Sequence, residues 1–286
     1  MTDVVLGFLT ALIAAMGWGT YLVPMKKIKK LNPFQFQLLM CNGIFLFSLL
    51  ISITLNYSLS LNLFGIVSGL IWSTGNIISI LAVKKIGLGR ASAIWMSFVI
   101  LVSFLWGILF FQENLNSVYF GVFGVFLIMV GILFVSLSRS KGRYKISGIM
   151  VAILAGLLFG SQYVPLKISN LTPDQFLFSM SFGILIAGWI YSGWTLFFSK
   201  NLDISNYAKK GFLSGIFWVI ANLSALFAVA NLGISIGFPL TQLSLLIAVL
   251  WGIFYFKEVM EKKHKMKVLI GAIVMLLGAF LLAFAR

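Results

Sequence analysis

Asn76 and Asn222 are uncharged amides set deep within apolar runs of the chain. Each is preceded four residues earlier by a tryptophan, Trp72 or Trp218, and four before that by a serine, Ser68 or Ser214. On a helix this spacing puts each Ser–Trp–Asn set on one face. An indole face stacks against ring C–H groups, and an amide both donates to and accepts from hydroxyls. The set therefore suits a neutral sugar or polyol. The structural alternative is that each Asn bonds a neighbouring helix and each Trp packs.

Further candidates gather beside prolines. Trp18, Thr20 and Tyr21 precede Pro24; Ser161, Gln162 and Tyr163 precede Pro165. Proline removes a helix donor and frees carbonyls, so Pro24 and Pro165 are candidate hinges. An interfacial aromatic belt accounts for the same aromatics equally well. Trp95, Ser97, Thr241 and Gln242 are further candidates for the site. Pro239, with Gly233 and Gly237, marks a hinge, a source of exposed carbonyls or an ordinary kink. Trp106 and Trp251 read as belt residues. Glu113 and Glu258 end two apolar runs and either gate the molecule, pair with Lys26 or Lys167, or are solvated; the two lysines themselves read as snorkelling.

The polar inventory also excludes functions. No carboxylate lies mid-run, so neither cation export nor proton coupling is supported. There is no acid pair at Mg²⁺-binding spacing, no His/Cys zinc set and no nucleophile with a histidine partner. No glycine-rich loop ends in Gly-Lys-Ser/Thr, so the chain drives no nucleotide-powered pump. An enzyme is not expected, nor any cofactor or metal. Cys41 is the single cysteine, which rules out a disulfide framework.

The elements that position these groups follow from composition. Of 286 residues, 61% are apolar and 9% charged, with a mean hydropathy of +1.08. A soluble protein of this size needs far more polar surface. Apolar segments of about 20 residues, the length that crosses a hydrocarbon core, fall near 4–25, 34–55, 63–83, 91–111, 117–137, 146–166, 174–198, 211–230, 236–256 and 268–285. Only helices and closed barrels satisfy their backbone in lipid, and barrels show short alternating segments, so ten helices are expected. The first run lacks a basic leader and is too long for a signal peptide.

The net charge of +15 taken alone suggests a nucleic-acid partner, but the bases lie between helices. Lys26, Lys27, Lys29 and Lys30; Lys84, Lys85 and Arg90; Arg139, Lys141, Arg143 and Lys145; Lys200, Lys209 and Lys210; and Lys257, Lys262, Lys263, Lys265 and Lys267 all fall in odd-numbered junctions. The other side holds Lys167 and Arg286. The positive-inside rule then puts the odd junctions in the cytoplasm and both termini outside. No nucleic-acid partner is expected; the partners are the bilayer and a small-molecule substrate, with the oligomeric state left open.

The chain also repeats itself. GTYLVPMK from Gly19 matches GSQYVPLK from Gly160, and NPFQFQLLMCNGI from Asn32 matches TPDQFLFSMSFGI from Thr172. GIVSGLIWSTGN from Gly65 matches GFLSGIFWVIAN from Gly211, AVKKIG from Ala82 matches AVANLG from Ala228, and WGILFFQEN from Trp106 matches WGIFYFKEV from Trp251. Five helices per copy is odd, so the second copy enters from the opposite face. Such inverted repeats mark alternating-access transporters. Residues 1–140 and 141–286 form the two units. The pairs Gly65/Gly69 and Gly211/Gly215 are expected to permit close helix packing.

The stretch Trp72–Gly89, the FGSQYVPLK stretch at Phe159–Lys167 and the duplicated ten-helix plan resemble the glucose/ribose porter family. The similarity is greatest to its branch related to transmembrane protein 144; bacterial glucose uptake proteins are more distant. The family lies within the drug/metabolite transporter superfamily. The resemblance implies carbohydrate transport on an all-α inverted-repeat fold of the cell membrane. Export of amino acids or other small metabolites, frequent in that superfamily, is the alternative expectation.

Overall fold

The computed structural model describes residues 2–28, 32–86, 88–137, 146–193, 204–256 and 262–285. The described residues are helical with short connections. The helices are α1 (Thr2–Thr20), α2 (Pro33–Thr54), α3 (Leu63–Ile86), α4 (Leu88–Leu105), α5 (Val118–Leu137), α6 (Ile146–Ser161), α7 (Val164–Ser169), α8 (Pro173–Ser192), α9 (Ile204–Leu232), α10 (Gly237–Thr241), α11 (Ser244–Leu250) and α12 (Lys262–Ala285). Among the described residues, seven helices are long and apolar enough to cross a membrane. Three shorter apolar stretches, Ile94–Phe110, Val118–Phe134 and Gly237–Ala248, complete the expected order of ten.

The helix ends follow from the prolines. A proline ring clashes with the carbonyl four residues back. That residue is Thr20 for Pro24 and Ser161 for Pro165, and α1 and α6 end there. Both helices therefore end before their apolar runs do. Pro33 and Pro173 occupy the first positions of α2 and α8, where no donor is needed. Pro239 sits in the first turn of α10, and the ninth apolar run, expected to be one helix from 236 to 256, is divided at Gln242–Leu243. The ends of α4 and α11 each continue into one π-helical turn, Trp106–Phe110 and Trp251–Tyr255, at matching positions of the repeat.

The packing is that of a protein turned toward lipid. Leu9, Phe123, Phe126, Leu276 and Phe280 are exposed, whereas Gln37, Ser68, Asn76, Ser214 and Asn222 are buried. In hydrocarbon, polar side chains are costly and face the bundle interior.

Close helix contacts occur at glycines. A Cβ on Gly69 of α3 would collide with the Met180 carbonyl of α8, and one on Gly215 of α9 would lie 2.7 Å from the Gly43 backbone of α2. The helix directions follow. α3 runs parallel to α8, with Gly65 against Ser179, Gly69 against Gly183 and the Thr74 and Tyr191 hydroxyls 2.8 Å apart. α2 runs parallel to α9, with Leu39 against Gly211 and Gly43 against Gly215. α2 and α8 are antiparallel, since Cys41 meets Gly188 while Phe45 meets Phe178 and Phe182. Consequently α3 and α9 run in opposite directions. On the flank, α5 and α12 cross antiparallel, Gly124 against Gly278 and Gly131 against Gly271.

Candidate functional site

The largest cluster of buried apolar side chains includes Trp72 and Trp218. Their rings are 4.7 Å apart between centroids and tilted by 58°, so the indoles of α3 and α9 touch. Each helix places its asparagine one turn beyond its tryptophan, ten residues before the helix end. Because α3 and α9 are antiparallel, Asn76 and Asn222 lie on opposite sides of the indole pair. The four residues are thus brought together as a layered group: amide, two indoles, amide.

The amides have different partners. Asn222 is fully buried; its Oδ1 accepts from the Tyr163 hydroxyl at 2.7 Å and its Nδ2 lies 3.5 Å from Met180 Sδ. Asn76 is 7% exposed and its Nδ2 donates to Gln37 Oε1 on α2. Gln37 Nε2 in turn reaches Ser73 Oγ at 3.4 Å and Cys41 Sγ at 3.6 Å. Gln37 and Ser73 went unremarked in the sequence. The signal was an amide within an apolar run, masked because Gln37 lies five residues into its helix and its repeat mate is Leu177.

The residues before the prolines are not an interfacial belt alone. Tyr163 is fully buried and edge-on to Phe238 at 4.8 Å, which also meets Trp18 at 5.8 Å. The Trp18 Nε1 and Gln162 Oε1 atoms are buried without a hydrogen-bond partner among the described residues. The backbone carbonyl of Gln162 accepts from the Ser68 hydroxyl. Tyr21 packs against the same cluster.

Thr20 and Ser161 are used differently. Trp251 Nε1 donates to Thr20 Oγ1 and Trp106 Nε1 to Ser161 Oγ, each at 2.9 Å. Both indoles expected in a belt therefore point their polar edge inward, each toward the other repeat. Thr241 bonds the Phe238 carbonyl at 2.6 Å, and Gln242 Nε2 bonds the Thr241 hydroxyl at 3.1 Å. Trp95 packs instead in a separate cluster with Ala82, Ile86, Ala91 and Ala152. It is not brought to the indole pair.

Glu113 is not a solvated helix end. Its side chain is 7% exposed and pairs with Lys167 Nζ at 2.9 Å. Its carboxylate also accepts from the Ile234 and Ser235 amides, at 2.9 and 3.0 Å, and from the Ser235 hydroxyl at 2.7 Å. Gly233, at φ +82°, allows the turn, and any Cβ there would collide with this carboxylate. Burial pushes the Glu113 pKa up, but the Ser235 bonds and Lys167 outweigh it, and the net shift is downward. Three segments, after α4, within α7 and between α9 and α10, are thereby tied together. Glu258, the repeat mate of Glu113, and the side chain of Lys26 lie outside the described residues.

A lipid-facing bundle with an uncharged polar and aromatic interior defines a multi-pass helical membrane protein of the transporter class. The chain belongs to the sugar transport protein family, whose model matches residues 9–285. That membership agrees with the glucose/ribose porter resemblance. The chain is 24% identical over 288 residues to the glucose uptake protein GlcU of Bacillus subtilis, covering 97% of this chain and 98% of that one. It is 23% identical over 290 residues to a Bacillus anthracis protein named "Putative sugar uptake protein", covering 98% and 100%. A solved crystal structure, 13% identical, superposes with a TM-score of 0.79 over 96% of this chain and 95% of that one, which shows a shared fold.

Proposed function

We propose that this protein carries a small neutral sugar across the cell membrane by alternating access between two inverted five-helix units, residues 1–140 and 141–286. The observation that carries the reading is the Trp72–Trp218 pair flanked by Asn76 and Asn222. It is uncharged, aromatic and able to bond hydroxyls, within a bundle whose outer surface is apolar. Relatives named for sugar and glucose uptake support the substrate class. The relatives are named for sugars and the described residues of the central group are uncharged, so export of amino acids is not favoured.

Crossed contacts between repeat mates support the inverted arrangement. Trp106 to Ser161 mirrors Trp251 to Thr20. Gly69 against Gly183 and Ile184 mirrors Gly215 against Gly43 and Ile44. In the proposed orientation the lysine-rich junctions face the cytoplasm, both termini face outward, and the Glu113–Lys167 latch closes the outer side. Pro24, Pro165 and Pro239, each at a helix break, serve as hinges. Thr20, Tyr21, Ser161, Gln162, Tyr163, Thr241 and Gln242 line the path beside them; Glu258 serves as the inner mate of Glu113. Sugar entry separates the indoles, and the ring stacks between them with its hydroxyls on the amides.

The test is counterflow of labelled glucose into proteoliposomes by the purified protein. Asn76→Ala and Asn222→Ala are each expected to lower the rate at least about tenfold, the worth of one well-formed hydrogen bond in the site. Unchanged rates in both variants, at equal protein per vesicle, would remove these residues from the site.

A further inference from the structure

The two repeats place the same amide at Asn76 and Asn222, yet each amide meets a polar side chain that the other repeat lacks. Asn76 meets Gln37, whose mate is Leu177; Asn222 meets Tyr163, whose mate is Leu22. The pseudo-symmetry of the site is broken at these partners. Gln37 is 1% exposed and, in lipid, an amide there is costly unless it is bonded. Its oxygen is met by Asn76, and among the described residues its nitrogen has only the longer contacts to Ser73 and Cys41, at 3.4 and 3.6 Å.

We infer that Gln37 is a substrate-contacting residue that sets which sugar hydroxyls are read, and that its absence from the second repeat fixes the direction in which the sugar lies. This rests on the proposed sugar site. A hydroxyl is at once donor and acceptor. Placed between the two amides it donates to Gln37 Oε1 and accepts from Asn76 Nδ2, replacing their direct bond without orphaning either group. Gln37 Nε2, weakly held at its nitrogen, swings to a neighbouring ring hydroxyl. At the other amide a phenol takes the place of the second amide. Tyr163 supplies one donor to Asn222 and no second carbonyl, so the two ends of a sugar ring meet unequal partners. An asymmetric ring therefore binds in one orientation.

The experiment compares glucose with its four monodeoxy analogues, lacking the hydroxyl at carbon 2, 3, 4 or 6, as competitors of glucose counterflow in proteoliposomes. Wild type is expected to reject at least one analogue by about tenfold or more, because a buried partner is left unpaired. Gln37→Leu, which copies the residue at the matching position of the second repeat, is expected to lose that discrimination while the other carbons keep theirs. Gln37→Glu, which keeps the acceptor oxygen but not the NH₂, is expected to retain part of it. A purely structural role would lower counterflow of all sugars by one factor and leave every ratio between them unchanged; that outcome overturns the inference. If wild type carries no sugar, the sugar reading and this inference fall together. If wild type discriminates and Gln37→Leu discriminates identically, the inference alone falls.

Discussion

At the residue scale, several buried polar groups form bonded units whose loss should have distinct signatures. Glu113 is the plainest. Its carboxylate holds four donors, and its pKa is held below the ordinary carboxylate range by Ser235 and Lys167 against the upward push of burial. A lowered folded pKa means that the stabilisation is complete above the unfolded value and is lost as pH falls through the folded one. Thermal unfolding in detergent should therefore show a stability loss on acidification that Glu113→Gln abolishes. The variant should also lose about 2 kcal/mol at neutral pH, as expected for bonds to a charged group. An identical acid profile in the variant would remove Glu113 as its source. Pairing of Glu113 with Lys167 was one reading the sequence left open, beside a gate and a solvated helix end, and the structure selects it. That Glu113 also receives the Ile234 and Ser235 amides was not legible, because the turn at Gly233 is a matter of tertiary approach. Gln37 was missed for a related reason: its partner Asn76 lies on another helix, and no local spacing reveals a contact between helices.

At the element scale, the apolar lengths gave the number and order of the helices, and the prolines gave their breaks. The ends at Thr20 and Ser161 follow from the clash four residues before Pro24 and Pro165. The division of the ninth run at Gln242–Leu243, beyond Pro239, and the π-helical turns at Trp106 and Trp251 were not legible. Both depend on how each segment meets its neighbours. The Trp106–Ser161 and Trp251–Thr20 bonds supply one such meeting, since a buried indole N–H usually finds an acceptor. The glycines of α3 and α9 were read correctly as close-contact positions. Gly69→Leu should force α3 away from the Met180 carbonyl and lower thermal stability in detergent by about 1–3 kcal/mol or more, the range for overpacking. An unaltered melting temperature would mean that the helices are not this close.

At the scale of the whole molecule, the charge arithmetic acquires its meaning from the fold. Taken alone, +15 suggests an acidic partner; sorted by junction, nearly all the bases lie on one proposed face. The orientation is checked in a Cys41→Ser background. A cysteine introduced at Asn116 should label with an impermeant reagent on intact cells, and one at Gly142 should label only after permeabilisation. The reverse pattern would invert the molecule. The matched motifs were legible in the sequence, and the proposed inverted arrangement rests on them. The arrangement of α3 against α9, with the indoles touching between two amides, could not be read from one-dimensional matches. It depends on α2 and α8 crossing antiparallel at Cys41 and Phe45.

The central claim is that this chain is a carrier for a neutral sugar, and one measurement tests it most directly. Proteoliposomes holding purified protein are loaded with unlabelled glucose and diluted into a trace of labelled glucose. A carrier that alternates its access should drive a transient accumulation of label above equilibrium, which amino acids loaded in place of glucose fail to produce. Label that only equilibrates, or that overshoots with amino acids and not with any monosaccharide, would contradict the account.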